Sequence, residues 1–246
     1  MSTSEARGSG GLRERSGSPP EEREILDALG RVRDPELDEP ITDLGFVTEV
    51  EVGEGTVRVR LRLPTYFCAP NFAYLMVADA REAVESVPGA GRAEIVLEDH
   101  HASEEINAGV AAGRGFAGTF PGEAAGELDE LRLVFRRKAF LARQERLARS
   151  LLDAGVSTEQ LSAMRLGDLD DGDEARTYVE RRAELGLPVG PDAFLLVDPS
   201  GERVAAERVA AALRFAQTVR ISIEGNASFC RGMLATRYGL PMATPP

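Results

Sequence analysis

The stretch that most limits how this chain can fold runs from Val47 to Leu63. Val57, Val59, Leu61 and Leu63 alternate with Thr56, Arg58, Arg60 and Arg62, and ahead of them Val47, Val50 and Val52 lie among acids. Successive side chains of an extended backbone point to opposite faces. This period of two therefore predicts a half-buried strand, apolar on one face and charged on the other. Gly53-Glu54-Gly55 separates the two runs with residues that tolerate positive φ, so they read as a hairpin. Pro64 breaks the second strand, and Thr65-Tyr66-Phe67-Cys68-Ala69 leads into Pro70. Proline suits the first position of a helix, because its missing N–H has no partner there. The spacing predicts a helix over 71–87, closed by Pro88-Gly89.

Cys68 thus falls at a helix N-terminus, where unpaired N–H groups and the positive end of the helix dipole favour a thiolate. Upstream, Ile25, Leu29 and Val32 stand at helical spacing, and Asp34-Pro35 ends that helix. Asp34, Glu36, Asp38, Glu39 and Asp43 then form an acidic cluster. It reads either as a solvated turn in which Asp34 caps backbone N–H groups, or as a partner of the Cys68 loop. In the second reading Asp34 or Glu36 orients the thiol or adds an oxygen ligand. Downstream, Ala93, Ile95 and Leu97 mark a third strand that runs into Asp99-His100-His101. Imidazoles beside carboxylates have the composition of a metal site. Adjacent residues of an extended chain face opposite ways, so one of the two rings is expected at any one metal. The alternative is a polar strand end, with Ser103 capping a short helix.

Asp34-Pro35-Glu36-Leu37, then Ile41-x-x-Leu44-Gly45, a hairpin, a cysteine near a proline-started helix, and a glycine followed by a strand resemble the PaaD/SufT-like family of metal–sulfur cluster assembly domains. The resemblance covers roughly 21–97. Ala69 separates Cys68 from Pro70, where family members place cysteine directly before proline. The resemblance implies an accessory that assembles an iron–sulfur or other metal cluster, or matures a client metalloenzyme, with Cys68 as thiolate ligand. Relatives of the PaaD kind imply a multicomponent oxygenase as that client.

Composition narrows the remaining classes. A formal charge of −12 argues against a general nucleic-acid or anionic-membrane binder. No apolar run approaches the roughly 20 residues that span a bilayer, and the N-terminus lacks the apolar core of a signal peptide, so a cytoplasmic protein is expected. Cys68 and Cys230 are the only cysteines, and His100 and His101 the only histidines. Two thiols make no disulfide framework and cannot complete a four-thiolate cluster site; His or Asp ligands, a second subunit or the client must supply the rest.

The first 20 residues, rich in Ser, Gly, Arg and Glu, predict a disordered tail. The glycine-rich stretch 107–126 matches no nucleotide-binding loop and reads as a linker, with Phe116 and Phe120 as residues that pack. Beyond it, Leu128, Leu131, Phe135, Ala139 and Ala142 open a long helix that is the most basic piece of an acidic chain. That basic face is solvated, docks an acidic partner, or pairs with the carboxylates of the first domain. Ser157 and Gln160 predict a capping box, 174–185 a further helix, and 193–204 a small hairpin. A helix from Ala205 to about Val219 follows; over 220–225 Ile221 and Ile223 alternate like a strand, or the helix continues. Asn226 reads as the N-cap of a last helix that carries Cys230 in its first turn. Cys230 is then a buried small hydrophobe, or a co-ligand or redox partner of Cys68.

The expected architecture is α+β. A domain over 21–106 holds a three-stranded sheet with helices on one face, and a mainly helical domain with a small hairpin occupies 127–246. Open sheet edges invite pairing, so a homodimer is expected. The expected function is cluster assembly or maturation. Iron or an iron–sulfur cluster would be held transiently by a site drawn from Cys68, Cys230, Asp34 and Glu36, and from His100 and His101 where a metal is ligated. Two other classes stay open: an enzyme using Cys68 with His100 or His101, and an adaptor that binds no metal.

Overall fold

A computed structural model describes residues 19–122 and 126–240 of the chain. The expected tail lies outside the described residues except for its last two positions.

Helix α1 (Glu22–Leu29) precedes a turn-rich segment that leads into strands β1 (Val47–Gly53) and β2 (Thr56–Arg62). Helix α2 (Pro70–Glu85) crosses over to β3 (Arg92–Glu98). The sheet order is β1-β2-β3, with β1 antiparallel and β3 parallel to β2. The period-two pattern acts as expected. Val57, Val59 and Leu61 of β2 and Ala93, Ile95 and Leu97 of β3 are buried against α1 and α2, while the other face is a charge ladder. There Arg60 Nη1 meets Glu98 Oε1 at 2.7 Å, Arg60 Nε meets Glu49 at 2.8 Å, and Arg58 meets Glu94 at 2.8 Å. Gly45, at φ 75, turns the chain into β1 where an L side chain is strained.

The glycine-rich stretch is not an open linker. Helices α3 (Ser103–Ala111) and α4 (Gly115–Thr119) fold within it, and residues 123–125 lie outside the described ones. The reason is aromatic burial: Phe116 enters the first core and meets Tyr74 edge-on at 5.4 Å.

The remaining elements are α5 (Gly126–Asp153), α6 (Thr158–Ala163), α7 (Asp173–Glu184) and α8 (Ala206–Tyr238). The Ser157–Gln160 capping box forms as expected. The expected hairpin over 193–204 reduces to one antiparallel bridge, Val197 with Arg203, because Asp198 folds its own turn by accepting from Ser200 and Glu202 N–H. A second apolar cluster gathers Phe140, Leu147, Leu161, Leu195, Val209 and Leu213 around Tyr178. Arg182, fully buried, donates to the carbonyls of Pro188 (2.9 Å) and Phe194 (2.8 Å) and thereby holds the α7–α8 connection.

The largest departure from expectation is α8. It is a single helix of 33 residues, with no break at Gly225-Asn226. Asn226 caps nothing; its side-chain amide donates to Glu36 at 3.3 Å. Tertiary ion pairs carry the helix through that point. Glu145 of α5, wholly buried, is clamped by Arg149 (2.6 Å) and by Arg220 of α8 (2.5 Å), and Arg146 reaches Glu224 at 2.7 Å. The first half of α8 thus packs in the second cluster, while Ala227 and Leu234 of its second half enter the first.

The basic face of α5 pairs with carboxylates of the sheet-bearing half. Arg132 grips Asp79 of α2 through both oxygens (2.9 and 2.6 Å), and Arg143 meets Asp38 at 3.0 Å. Arg33 and Arg181 also close on Asp38, at 3.7 and 3.6 Å.

Candidate functional site

The loop between β2 and α2 carries Cys68, half-buried, just before the N-cap Ala69 and Pro70. The predicted placement at a helix N-terminus therefore holds. Thr65 Oγ1 lies 3.3 Å from Cys68 Sγ, so a hydroxyl one turn of loop away touches the sulfur. The same loop exposes Tyr66 and Phe67, the latter 78% exposed, stacked edge-on at 5.0 Å.

After β3 the chain does not continue extended. Asp99, at φ 52, turns it, and the two histidines lie side by side with ring centroids 4.5 Å apart instead of facing opposite ways. His100 is buried and both its nitrogens are occupied. Nε2–H donates to the Cys68 carbonyl at 2.7 Å, and Nδ1 accepts from the Ala102 N–H at 3.2 Å. Those partners fix the neutral Nε2–H tautomer, and burial holds the ring below the ordinary imidazole range. His100 is a brace for the Cys68 backbone, with no nitrogen left for a metal and no bond to the thiol. The expectations of a His100 ligand and of a His100 base on Cys68 are corrected accordingly. His101 is exposed, and its Nδ1 meets Tyr66 O at 3.0 Å, so Nδ1 is the donor and Nε2 the nitrogen turned away from that carbonyl.

Asp34 is buried, and its Oδ1 accepts from the N–H of Glu36 (2.8 Å) and of Leu37 (3.0 Å). It is the cap that the sequence allowed. Burial outweighs those two bonds and pushes its carboxyl up to about 6. Glu36 is turned to α8 through Asn226, and Glu39 pairs with Arg231.

Cys230 therefore arrives from the interior of α8 and not from a first turn. It packs half-buried on the first core, as Cys68 does. Burial pushes its thiol up to about 11, and the nearby Asp34, Cys68 and Glu36 act on it in the same direction. The geometry thus brings Cys68, Cys230, Asp34 and Glu36 into one neighbourhood and leaves His100 out of the ligand field. Among the described residues no three His, Cys, Asp or Glu side chains converge as a metal-ligand set. The four-residue set Cys68, His100, His101 and Cys230 is not assembled.

Several residues that fasten the site escaped the sequence reading. Arg237 donates to the carbonyls of Leu63 (3.2 Å) and Asp99 (2.6 Å), and Tyr238 OH donates to Asp99 at 3.3 Å. Arg237 thereby ties both loops of the site to the end of α8. Each of these bonds joins residues remote in the chain, so no local spacing announces them.

Two comparisons bear on this arrangement. Residues 22–96 match the family model described as iron-sulfur cluster assembly protein. A relative from Methanocaldococcus jannaschii, named only as an uncharacterized protein, is 35% identical over 85 residues, which are 34% of this chain and 87% of the relative. The chain belongs to the iron–sulfur cluster assembly protein family. The matched segment holds α1, the acidic turn, the whole hairpin, Cys68 and α2, and it ends within β3. α8, which supplies Cys230, lies beyond it.

Proposed function

We propose that this protein holds iron or an iron–sulfur cluster in transit to a client metalloenzyme, with Cys68 and Cys230 as its thiolate ligands. The observation that carries this reading is the approach of Cys230, on α8, to the family domain's Cys68 loop beside Asp34 and Glu36. A thiol binds iron only after losing its proton, so loading releases a proton from Cys230, which is otherwise a thiol at neutral pH. The carboxylates of Asp34 and Glu36 and Nε2 of His101 are the further donors within the same region.

The exposed Tyr66 and Phe67 beside Cys68 offer the client an aromatic contact at the point of transfer. The client that best fits the family resemblance is an iron-containing component of a multicomponent oxygenase. Iron and acid-labile sulfide, measured on anaerobically prepared protein, test the proposal. Stoichiometric loading that falls sharply in both Cys68→Ser and Cys230→Ser supports it. Protein that stays metal-free after reconstitution overturns it and leaves an adaptor that binds the client alone.

A further inference from the structure

We infer that the outward face of α8 is the contact surface of a homodimer, in which two α8 helices pack antiparallel about a two-fold axis. The face has an unusual composition for a chain in which 28% of residues are charged. The charged residues of α8 beyond Phe215 are Arg220, Glu224, Arg231 and Arg237, and all four turn back into the molecule. They meet Glu145, Arg146, Glu39 and the Leu63 and Asp99 carbonyls. From Phe215 to the end of the helix the exposed side is therefore uncharged. It carries Phe215 at 63% exposure and Phe229 at 68%.

The remaining residues of that side follow a seven-residue repeat. Phe215, Ser222, Phe229 and Thr236 form one row, and Thr218, Gly225 and Gly232 form the other, with Gly239 as the left-handed C-cap beyond it. Rows spaced three and four residues apart are the seam along which two helices interdigitate. The glycines are the second observation. A Cβ built on Gly225 or Gly232 meets nothing within 4 Å among the described residues, so neither is needed for packing between them. Glycine within a helix weakens it, and small residues at such places let another helix approach closely.

The rows are self-complementary in one orientation. In a parallel pair Phe229 meets its own copy and the glycine layers stay empty. In an antiparallel pair centred at position 227, Phe229 faces the partner's Gly225, Ser222 faces the partner's Gly232, and Phe215 lies over the C-cap that ends the partner's helix. Phe229 then enters the space that Gly225 leaves, on both sides at once, as an isologous interface requires. The absence of charge matters for the same reason, since a two-fold axis sets like charges against each other. A groove of about 570 Å³ lined by Pro64, Thr65, Phe229, Gly232, Met233 and Thr236, with Arg237 at its edge tied to the Leu63 and Asp99 carbonyls, continues the face towards the Cys68 loop. This surface differs from the sheet edges, and the inference stands whether or not the protein carries a cluster.

Sedimentation equilibrium of the full chain across the micromolar range tests it, with Gly225→Leu/Gly232→Leu and Phe229→Glu as variants. Leucine is the better helix former at exposed positions, so the double variant keeps or raises its melting temperature while it fills the holes. The expected result is twice the monomer mass for the natural chain and the monomer mass for both variants. A natural chain that remains monomeric overturns the inference and assigns the face to a different protein. A dimer that survives in both variants overturns it as well.

Discussion

Asp34 opens the family's Asp-Pro-Glu turn, and its carboxylate is both buried and engaged. It accepts two backbone N–H groups, yet the loss of water around it dominates and holds its pKa near 6. The sign of its contribution follows. A carboxyl raised from 3.8 in the unfolded chain stabilises the fold fully below that value, and the stabilisation is lost as pH rises through about 6. Asp34→Asn keeps the accepting oxygen and removes the titration. The variant is expected to be more stable than the natural chain at pH 7 by roughly 2 to 3 kcal/mol at most, with the gain vanishing near pH 4. Urea unfolding of the metal-free proteins at both pH values checks this. Equal differences at the two pH values would remove the buried charge from the account. Cys230 titrates in the same direction higher up, so its thiol contributes stability that is lost between about 9 and 11.

At the level of elements, the decisive piece is the second half of α8, because it supplies Cys230 and pins the loops that hold Cys68 and His100. Leu234 anchors it at 4% exposure, and a Cβ added to Gly45 of the family motif would touch Leu234 at 3.5 Å. Leu234→Ala is expected to cost about 2 to 4 kcal/mol and to let this half of the helix lift. Alkylation of Cys230 should then accelerate more than that of Cys68, a difference that mass spectrometry of the labelled peptides resolves. Equal acceleration at both would mean that the helix does not move as a unit.

The legibility of the sequence divides along the same line. The hairpin, the third strand and the proline-started helix could be read because each is dictated by a period or a breaker within a few residues. Cys68 could be read for the same reason. α8 could not, since Gly225-Asn226 looks like a stop followed by a cap, and only the distant Glu145, Arg146 and Glu39 keep the helix whole. The histidines misled because the turn at Asp99 and the Cys68 carbonyl that claims His100 are invisible to composition.

Across the whole molecule, the two apolar clusters meet at a charged junction. Asp38, at 6% exposure, is the one carboxylate faced by Arg33, Arg143 and Arg181 together, and Arg181 Nε stays too far from it to form a hydrogen bond. Asp38→Asn preserves shape and tolerates the local φ of 51, but it leaves three guanidinium groups without their shared charge. Removing one partner of a buried pair is costly, and a loss of roughly 3 kcal/mol is expected. Calorimetry should show the lower melting temperature, with high salt recovering part of it. A neutral outcome would mean that the junction is open to solvent.

Cobalt(II) titration of the metal-free protein tests whether the family domain and α8 share a thiol pair. Sulfur-to-cobalt charge-transfer absorption grows with the number of thiolates bound to the ion. A shared pair gives a band in the natural chain that falls to about half in Cys68→Ser and in Cys230→Ser alike, and vanishes when both are replaced. A band that disappears with Cys68 and is untouched by Cys230→Ser would confine the ligand to the family domain and contradict the shared site.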